Sequence, residues 1–154
     1  MPDDFRIRPV TREDHAAWLP LWHAYNVFYG RTGEPPVAPA VTAATWERFF
    51  DDGEPLWALV AAEADGTLVG FTHYLFHRTS NAIAPLCYLE DLFTTEAARG
   101  RGVGGALIEA VYGAAKAAGV PSVYWQTQEG NATARRLYDR VAEKSEFIVY
   151  GKDL

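Results

Sequence analysis

The sequence predicts one α/β (α+β) domain, residues 1–154, with a mixed central sheet of about six to seven strands flanked by about four helices. A chain of 154 residues suits one hydrophobic core and is short for two. Two apolar runs in the middle of the chain are joined by an Asp-Gly turn, so the N-terminal part of the sheet should be antiparallel. Further on, a strand, a glycine-rich turn, a helix and another strand indicate a parallel, right-handed β-α-β unit.

The chain begins with a predicted strand and a helical run. Residues 5–10 alternate apolar and polar side chains, and Pro9 places this strand near a sheet edge or a strand end. Thr11 and Asp14 resemble a capping box at the start of a helix. Pro20 should kink or split that helix, because proline lacks the backbone N–H group.

The central part of the chain predicts a second helix and three strands. Residues 42–50 form the short helix. Residues 56–62 and 68–76 are antiparallel neighbours, because the Asp-Gly pair at positions 65 and 66 is typical of a hairpin turn. Residues 86–94 predict a third central strand, which leads into the glycine-rich turn.

The last third of the chain alternates helices and strands. Residues 103–118 predict an alanine-rich helix, and residues 122–127 predict the parallel strand that follows it. Asn131 is placed to cap a helix that reaches about residue 142. Residues 146–150 predict a final strand.

Composition and charge exclude several classes of protein. The net charge of −6 and the pI of about 5.1 disfavour nucleic-acid binding, because the sequence has no cluster of basic residues to oppose phosphate repulsion. No run approaches the ~18 apolar residues of a membrane span, so we expect no membrane insertion. The single cysteine, Cys87, excludes an intrachain disulfide, and we expect the protein to reside in the reducing cytoplasm.

Metal binding and cysteine nucleophilic chemistry are also disfavoured. The four histidines lack the spacing of metal ligands, and Cys87 has no zinc-type partner pattern. We therefore expect neither a metal ion nor a covalent cysteine intermediate.

The glycine-rich turn is the strongest local motif. Residues without a Cβ atom let successive backbone N–H groups approach an anion at the start of a helix, where the helix dipole adds positive charge. Two arginines within the turn add further positive charge, which favours a phosphate or pyrophosphate ligand. The predicted cradle consists of Arg99, Gly100, Arg101, Gly102, Val103 and Gly104.

Two other interpretations of the turn remain open from the residues alone. Four glycines in six residues also make a tight turn that permits close packing of helix on sheet. Gly100, Gly102 and Gly105 satisfy the G-x-G-x-x-G pattern of dinucleotide-binding sites, and Glu129 lies at about the distance expected for a ribose contact. Antiparallel strands before the turn and a single short β-α-β unit count against the dinucleotide site.

The spacing Arg99-x-x-Gly102-x-Gly104 resembles the Q/R-x-x-G-x-G/A signature of the GCN5-related N-acetyltransferase (GNAT) superfamily. That superfamily has its fourth strand at the position of residues 88–93 and its cofactor-side helix at the position of residues 131–138. The amino-acid sequences of these two segments are most similar to the diamine and small-amine branch. The resemblance implies a GNAT-like domain that binds acetyl-CoA, with the turn's amides on the pyrophosphate.

The resemblance also implies roles for individual residues. Tyr138 matches the proton donor to the coenzyme A sulfur, and Asn131, two helical turns earlier, faces the same way. Glu90 matches a carboxylate that deprotonates the amine through water, with Asp91 as the reserve because strand alternation puts the two on opposite faces. The plainer alternatives are a core ring for Tyr138, a helix N-cap for Asn131 and a surface carboxylate for Glu90.

Further residues are implied at the acyl and acceptor ends of the site. Those expected to contact the acyl group or the pantetheine are Leu92, Phe93 and Thr94. Those expected around the acceptor amine are Tyr25, Phe28, Tyr29, Glu34, Glu90 and Trp125, with His73 as a further candidate. Aromatic residues at this spacing are also typical of a hydrophobic core, and that alternative stays open.

These observations predict an N-acetyltransferase that acetylates a primary amine of a small molecule by direct attack on acetyl-CoA. The acceptor classes considered are polyamine-like compounds, amino acids and aminoglycosides. The alternatives are a non-catalytic acyl-CoA-binding regulatory module and an enzyme that acetylates a protein lysine or N-terminus. We also expect a homodimer, because residues 146–150 would give a sheet edge suited to pairing or exchange.

Overall fold

A computed structural model describes residues 4–154, and its five strands form one mixed sheet in the order β1-β2-β3-β4-β5. The first three pairs of neighbouring strands are antiparallel, and the β4–β5 pair is parallel. The predicted mixed sheet is therefore confirmed, with fewer strands than expected. The strands are β1 (Phe5–Pro9), β2 (Leu56–Glu63), β3 (Leu68–His77), β4 (Leu86–Thr94) and β5 (Val123–Tyr124).

Four α-helices flank the sheet, as predicted. They are α1 (His15–Phe28), α2 (Pro39–Arg48), α3 (Val103–Ala117) and α4 (Ala132–Val141), and two single 3₁₀ turns cover Arg12–Asp14 and Glu96–Ala98. Within residues 4–154, none of these helices has both the length and the apolar character that a bilayer span requires.

Side-chain alternation along β2 divides the core into two layers. Leu59 and Ala61 pack with the buried face of α3, whereas Ala58 and Val60 pack with the tryptophans of α1 and α2. The helices thus cover both faces of the sheet.

Helix α1 is one continuous helix, so the predicted split at Pro20 is wrong. Trp18 and Trp22 lie on either side of Pro20, are both buried, and stack with ring centroids 5.6 Å apart. An interior proline costs a helix ~3 kcal/mol, and burying aromatic side chains on both sides of it offsets that cost.

Asp14 anchors the start of α1 to β1. Its carboxylate accepts hydrogen bonds from both terminal nitrogens of Arg8, at 2.7 and 2.9 Å, and from the backbone N–H of Thr11 at 2.7 Å. The predicted capping interaction of Thr11 with Asp14 is confirmed. The hydrogen bonds from Arg8 are the main reason why the pKa of Asp14 is lowered from its ordinary value.

Gly70 on β3 lets α3 pack close to the sheet. A Cβ atom at this position would lie 2.8 Å from the carbonyl oxygen of Phe93 and 3.0 Å from Cγ1 of Val103. Those distances leave no room for a methyl group. The missing side chain therefore allows the first turn of α3 to approach β3 closely.

Two predictions about the C-terminal strands are wrong. Residues 146–150 do not form a strand, and β5 contains two residues instead of the predicted six. A strand needs a hydrogen-bonded neighbour, and within the described part of the chain residues 146–150 form no ladder with β5 or with any other strand. Phe147 and Tyr150 are 93% and 89% exposed as a result.

Candidate active site

A cavity of about 390 Å³ lies where β4 and β5 separate. The parallel ladder joins Cys87 to Val123 and Tyr88 to Tyr124, and pairing stops there. Beyond this point the two chain segments diverge and form opposite walls of the cavity. The lining residues are Tyr25, Tyr29, Arg31, Tyr88, Leu89, Glu90, Asp91, Leu92, Trp125, Gln126, Thr127, Gln128 and Tyr138.

A β-bulge in β4 brings two adjacent carboxylates to this cavity. His73 pairs with Asp91 and Tyr74 pairs with Leu89, so Glu90 is an extra residue without an opposite partner on β3. Simple alternation predicted Glu90 and Asp91 on opposite faces, but both line the cavity. The bulge is the physical reason for this correction.

Asp91 is held from behind by a buried chain of hydrogen bonds. Nε1 of Trp18 donates to Nε2 of His73 at 3.1 Å, and Nδ1 of His73 lies 2.9 Å from Oδ2 of Asp91. Because an indole nitrogen is only a donor, Nε2 of His73 must accept. The ring proton therefore sits on Nδ1 and is donated to Oδ2 of Asp91.

The two carboxylates influence each other and the phenols around them. Partial removal from water, and then the charge of Asp91, raise the pKa of Glu90. Burial, and then Asp91, raise the pKa of Tyr29 and that of Tyr25, the latter well above its ordinary value. The cavity thus contains one carboxylate fixed by a buried hydrogen bond, Asp91, and a neighbouring carboxyl group with a raised pKa, Glu90.

Tyr138 reaches the cavity from α4 and packs edge-on against Trp125, with ring centroids 5.4 Å apart. Burial raises the pKa of the Tyr138 hydroxyl to about 12. That hydroxyl therefore stays protonated at neutral pH, as a proton donor must.

Asn131 occupies the N-cap position of α4, but its side chain makes no capping hydrogen bond. Instead, Nδ2 of Asn131 donates to Oγ1 of Thr127 at 3.3 Å. This contact ties the start of α4 to the cavity wall formed by residues 125–128.

The glycine-rich turn has the backbone shape that an anion site needs. Gly100 and Gly102 have φ values of 80° and 82°, and Gly102 is the N-cap of α3. The first helical bond runs from the N–H of Ala106 to the carbonyl of Gly102, so the helix provides no acceptor for the three N–H groups before Ala106. Those N–H groups are the donors available to a ligand.

The remaining residues of the turn divide between charge and packing. The Arg101 guanidinium forms an ion pair with Glu63 at 2.6 Å, whereas the Arg99 side chain is exposed. Val103 is buried in the core. A Cβ atom on Gly104 would lie 3.3 Å from Leu137 of α4, so this glycine also serves close helix packing.

The β4 residues expected at the acyl end occupy different surroundings. Leu92 lines the cavity. Phe93 packs against the rings of Tyr25 and Phe71, with centroids 6.3 and 5.9 Å away. Oγ1 of Thr94 lies 3.7 Å from the Cβ position of Gly104, next to the turn.

The structure places two of the expected acceptor residues outside this cavity. Phe28 is 56% exposed, and Glu34 lines a separate groove with His23 and Pro35. His73 is buried behind Asp91 and does not line the cavity. Tyr25, Tyr29, Glu90 and Trp125 do meet there.

Sequence reasoning missed Arg31, Tyr88 and residues 126–128. The signal for Arg31 was its position two residues after Tyr29, in the segment already expected to border the acceptor. Tyr88 and residues 126–128 gave no such signal, because the point where β4 and β5 separate depends on tertiary pairing.

Metal and thiol chemistry have no evident place in the described part of the chain. Residues 4–154 contain no group of three or more His, Cys, Asp or Glu side chains arranged around a metal position. Cys87 is buried on β4, and burial raises its pKa to about 11.

Comparison with known proteins identifies similar sequences over nearly the whole chain. The pattern of the Acetyltransferase (GNAT) family matches residues 18–142. The D-amino-acid N-acetyltransferase HPA3 of Saccharomyces cerevisiae is 38% identical over 152 residues, covering 98% of this chain and 92% of that protein. The uncharacterized N-acetyltransferase YhfO of Bacillus subtilis is 30% identical, covering 94% of each.

A solved structure shares the fold at lower identity. It is AAC(6')-Iy in complex with the bisubstrate analog CoA-S-monomethyl-acetylneamine, with a TM-score of 0.79, 23% identity, and coverage of 97% of this chain and 98% of that one.

Proposed function

Because the chain belongs to the Acetyltransferase (GNAT) family, we propose that it transfers the acetyl group of acetyl-CoA to a primary amine of a small molecule by direct attack of the amine. Family membership confirms the resemblance drawn from the glycine-rich turn, and the chain is an N-acetyltransferase. The observation that carries the proposal is the cavity between β4 and β5, where Glu90 and Tyr138 line one space.

The described residues fit acetyl-CoA. The amides at the start of α3 and the exposed Arg99 suit its pyrophosphate, since a helix N-terminus preceded by left-handed glycines favours phosphate. The edge of β4 beyond Tyr88 has no β5 partner, which leaves backbone groups for the pantetheine arm. When bound, the donor supplies an acetyl thioester.

The contacts of the donor are distributed over three parts of the chain. Arg101 contributes its backbone, because its side chain pairs with Glu63. The proposed donor-binding residues are Leu92, Phe93, Thr94, Arg99, Gly100, Arg101, Gly102, Val103, Gly104, Asn131 and Tyr138.

In the proposed reaction one cavity residue accepts a proton from the acceptor ammonium and another donates a proton to the leaving sulfur. An acceptor ammonium must lose a proton before its nitrogen can attack, and Glu90 accepts that proton directly or through water. The raised pKa of Glu90 suits a base, because it lies closer to neutral pH. The new C–N bond forms as the C–S bond breaks, and the Tyr138 hydroxyl donates its proton to the departing sulfur. The nitrogen then loses its second proton to solvent, and Tyr138 is reprotonated from solvent.

The acceptor is proposed to be a polyamine-like compound, an amino acid or an aminoglycoside, bound among Tyr25, Tyr29, Glu90 and Trp125. Similarity to a D-amino-acid N-acetyltransferase supports the amino acids among these classes. Phe28 and Glu34 were expected here and lie outside the cavity.

The test is release of free thiol from acetyl-CoA with a panel of D- and L-amino acids, polyamines and aminoglycosides. We expect release that depends on at least one of these amines and saturates with it. Binding of coenzyme A without amine-dependent release would instead favour the non-catalytic acyl-CoA-binding module. Release only with a peptide lysine or a peptide N-terminus would favour the protein-acetylating alternative.

We also propose that two copies of the chain form a homodimer through residues 146–150. Ile148 and Val149 are 75% and 71% exposed, and they continue the exposed apolar run that begins at Phe147. Exposed apolar segments of extended chain are suited to pairing with another strand edge. The open edge of β5 in a second copy is the proposed partner, because β5 pairs only with β4.

We propose a cytoplasmic location. The single cysteine, Cys87, is a buried free thiol, so stability does not depend on an oxidising compartment.

A further inference from the structure

The cavity is lined by one cationic residue, Arg31, and by two carboxylates, Glu90 and Asp91. We infer that the acceptor is a free amino acid, whose carboxylate binds Arg31 while its ammonium group faces Asp91 and Glu90. This inference rests on the proposed function and names its substrate class. Arg31 is then the residue that determines specificity.

Arg31 is placed by the end of α1 and not by an ion pair. Its backbone N–H donates to the carbonyl oxygen of Asn26 at 3.0 Å, which fixes the chain as it leaves the helix. Arg31 is among the residues that line the cavity. Within residues 4–154, no carboxylate oxygen lies within 4.0 Å of the Arg31 guanidinium. The planar guanidinium is therefore available to bind a carboxylate with two hydrogen bonds.

Asp91 supplies the complementary charge in a fixed position. The Trp18–His73 hydrogen-bond chain holds its carboxylate from the buried side, so the other side faces the cavity. Both Asp91 and Arg31 act electrostatically on the Tyr25 hydroxyl, Asp91 raising its pKa and Arg31 lowering it. The two opposite charges therefore border the same small region of the cavity.

The positive charge of Arg31 distinguishes between the three proposed acceptor classes. Polyamines and aminoglycosides carry several positive charges and no negative one, so they would leave Arg31 unpaired or be repelled by it. A free amino acid carries one charge of each sign and satisfies both sides of the cavity. Among the described residues that line the cavity, Arg31 is the only lysine or arginine.

The test compares D-leucine with D-leucinamide, with the L pair run in parallel. The amide keeps the α-amine and the side chain and loses the negative charge. Because the α-ammonium of the amide also has a lower pKa, the comparison of wild type with Arg31→Gln isolates the effect of the lost carboxylate. We expect the wild-type enzyme to prefer the amino acid by about 10- to 100-fold in kcat/KM, the amount expected for one charge-assisted contact. Arg31→Gln should abolish this preference mainly by raising KM for the amino acid. Arg12→Gln should preserve it, since Arg12 pairs with Glu47 on the exposed surface.

Each outcome decides between the proposals. Equal or better use of the amide by the wild type, or an unchanged preference in Arg31→Gln, overturns the role of Arg31 and leaves the acetyltransferase proposal intact. Thiol release with none of the amines contradicts the proposed acetyl transfer. In that case, calorimetric binding of D-leucine and D-leucinamide to the protein saturated with coenzyme A still decides on Arg31. Tighter binding of the amino acid that is lost in Arg31→Gln supports the inference, and equal binding overturns it.

Discussion

Tyr138 joins three properties that a proton donor needs: a place in the cavity, a protonated hydroxyl at neutral pH, and a ring fixed against Trp125. We expect Tyr138→Phe to lower kcat by about 10²- to 10⁴-fold, because it removes only the hydroxyl proposed to protonate the leaving group. The Kd for coenzyme A should hardly change. Steady-state kinetics and calorimetry measure the two quantities.

Tyr112→Phe is the matched control for that variant. The Tyr112 hydroxyl donates to the carbonyl oxygen of Val141 at 2.8 Å and does not line the cavity. Its loss should cost some stability and little turnover. Wild-type turnover in Tyr138→Phe would remove the donor role from Tyr138.

Asp14 gives a prediction about stability and pH. Asp14→Asn should lower the free energy of unfolding at pH 7 by about 1–3 kcal/mol, because it weakens the hydrogen bonds to Arg8 and Thr11. The folded-state pKa of Asp14 is lowered, so its contribution is present above the unfolded-state pKa of roughly 3.9 and is lost as pH falls through the folded-state value.

Urea unfolding at pH 7 and in acid measures this difference. The difference in free energy of unfolding between wild type and Asp14→Asn should become smaller in acid. The control is Asp52→Asn, which replaces an exposed carboxylate and should unfold like the wild type at both pH values. A difference in free energy of unfolding that stays constant with pH would mean that the charge of Asp14 does not stabilise the contact between β1 and the start of α1.

At the scale of elements, the cradle at the start of α3 depends on a left-handed backbone. A Cβ atom at Gly102 would have no neighbouring atom within 4 Å, but the φ of 82° at this position is strained for any residue with a Cβ atom, so Gly102→Ala introduces backbone strain. We expect the first turn of α3 to shift, and KM for acetyl-CoA to rise about 10-fold with a smaller change in kcat. One tenfold step corresponds to ~1.4 kcal/mol, within the usual cost of a left-handed non-glycine residue.

Gly113→Ala is the control on the same helix. It also meets no neighbouring atom, and it lies inside α3, where alanine is favoured over glycine. This variant should bind acetyl-CoA normally and unfold at a slightly higher temperature. An unchanged KM in Gly102→Ala would argue against the turn as the phosphate site.

The elements also show where sequence reasoning succeeds and where it stops. Patterns within one segment predicted β2, β3 and their hairpin, because turn chemistry and alternation are local. The bulge at Glu90 was not predictable, since it depends on which residue of β3 faces which residue of β4. Tyr138 was predicted because it lies in a local motif that resembles the GNAT superfamily. Arg31 was missed because its proposed role depends on a cavity made by distant segments.

For the whole molecule, the proposed pairing through residues 146–150 predicts a change of size. The wild-type chain should behave as a dimer in light scattering after size-exclusion chromatography. Replacing Phe147 and Val149 together by serine should give monomers, because it removes two exposed apolar side chains from the pairing segment. Activity of the variant should fall too, since residues 125–128 line the cavity next to that edge.

Replacing Ile83 by serine provides the comparison, because Ile83 is 96% exposed on a loop outside the C-terminal segment. That variant should remain dimeric and active. A wild-type chain that is monomeric at every concentration examined would contradict the pairing proposal and leave the enzyme assignment untouched.

The close contact at Gly70 makes α3 more deeply buried than α4, so the two helices should differ in how readily they open. Through this contact α3 belongs to the main core, with Leu107 and Ile108 fully buried, whereas α4 has no buried residue. Helices with fully buried residues open only with much of the domain, and helices whose apolar residues are only partly buried open at a lower free-energy cost. The proposed phosphate site at the start of α3 therefore belongs to the part of the molecule that we expect to open least readily. Tyr138 lies on α4, whose apolar residues are only partly buried against that core, so we expect α4 to open more readily than α3 and product to leave without disturbing the proposed phosphate site.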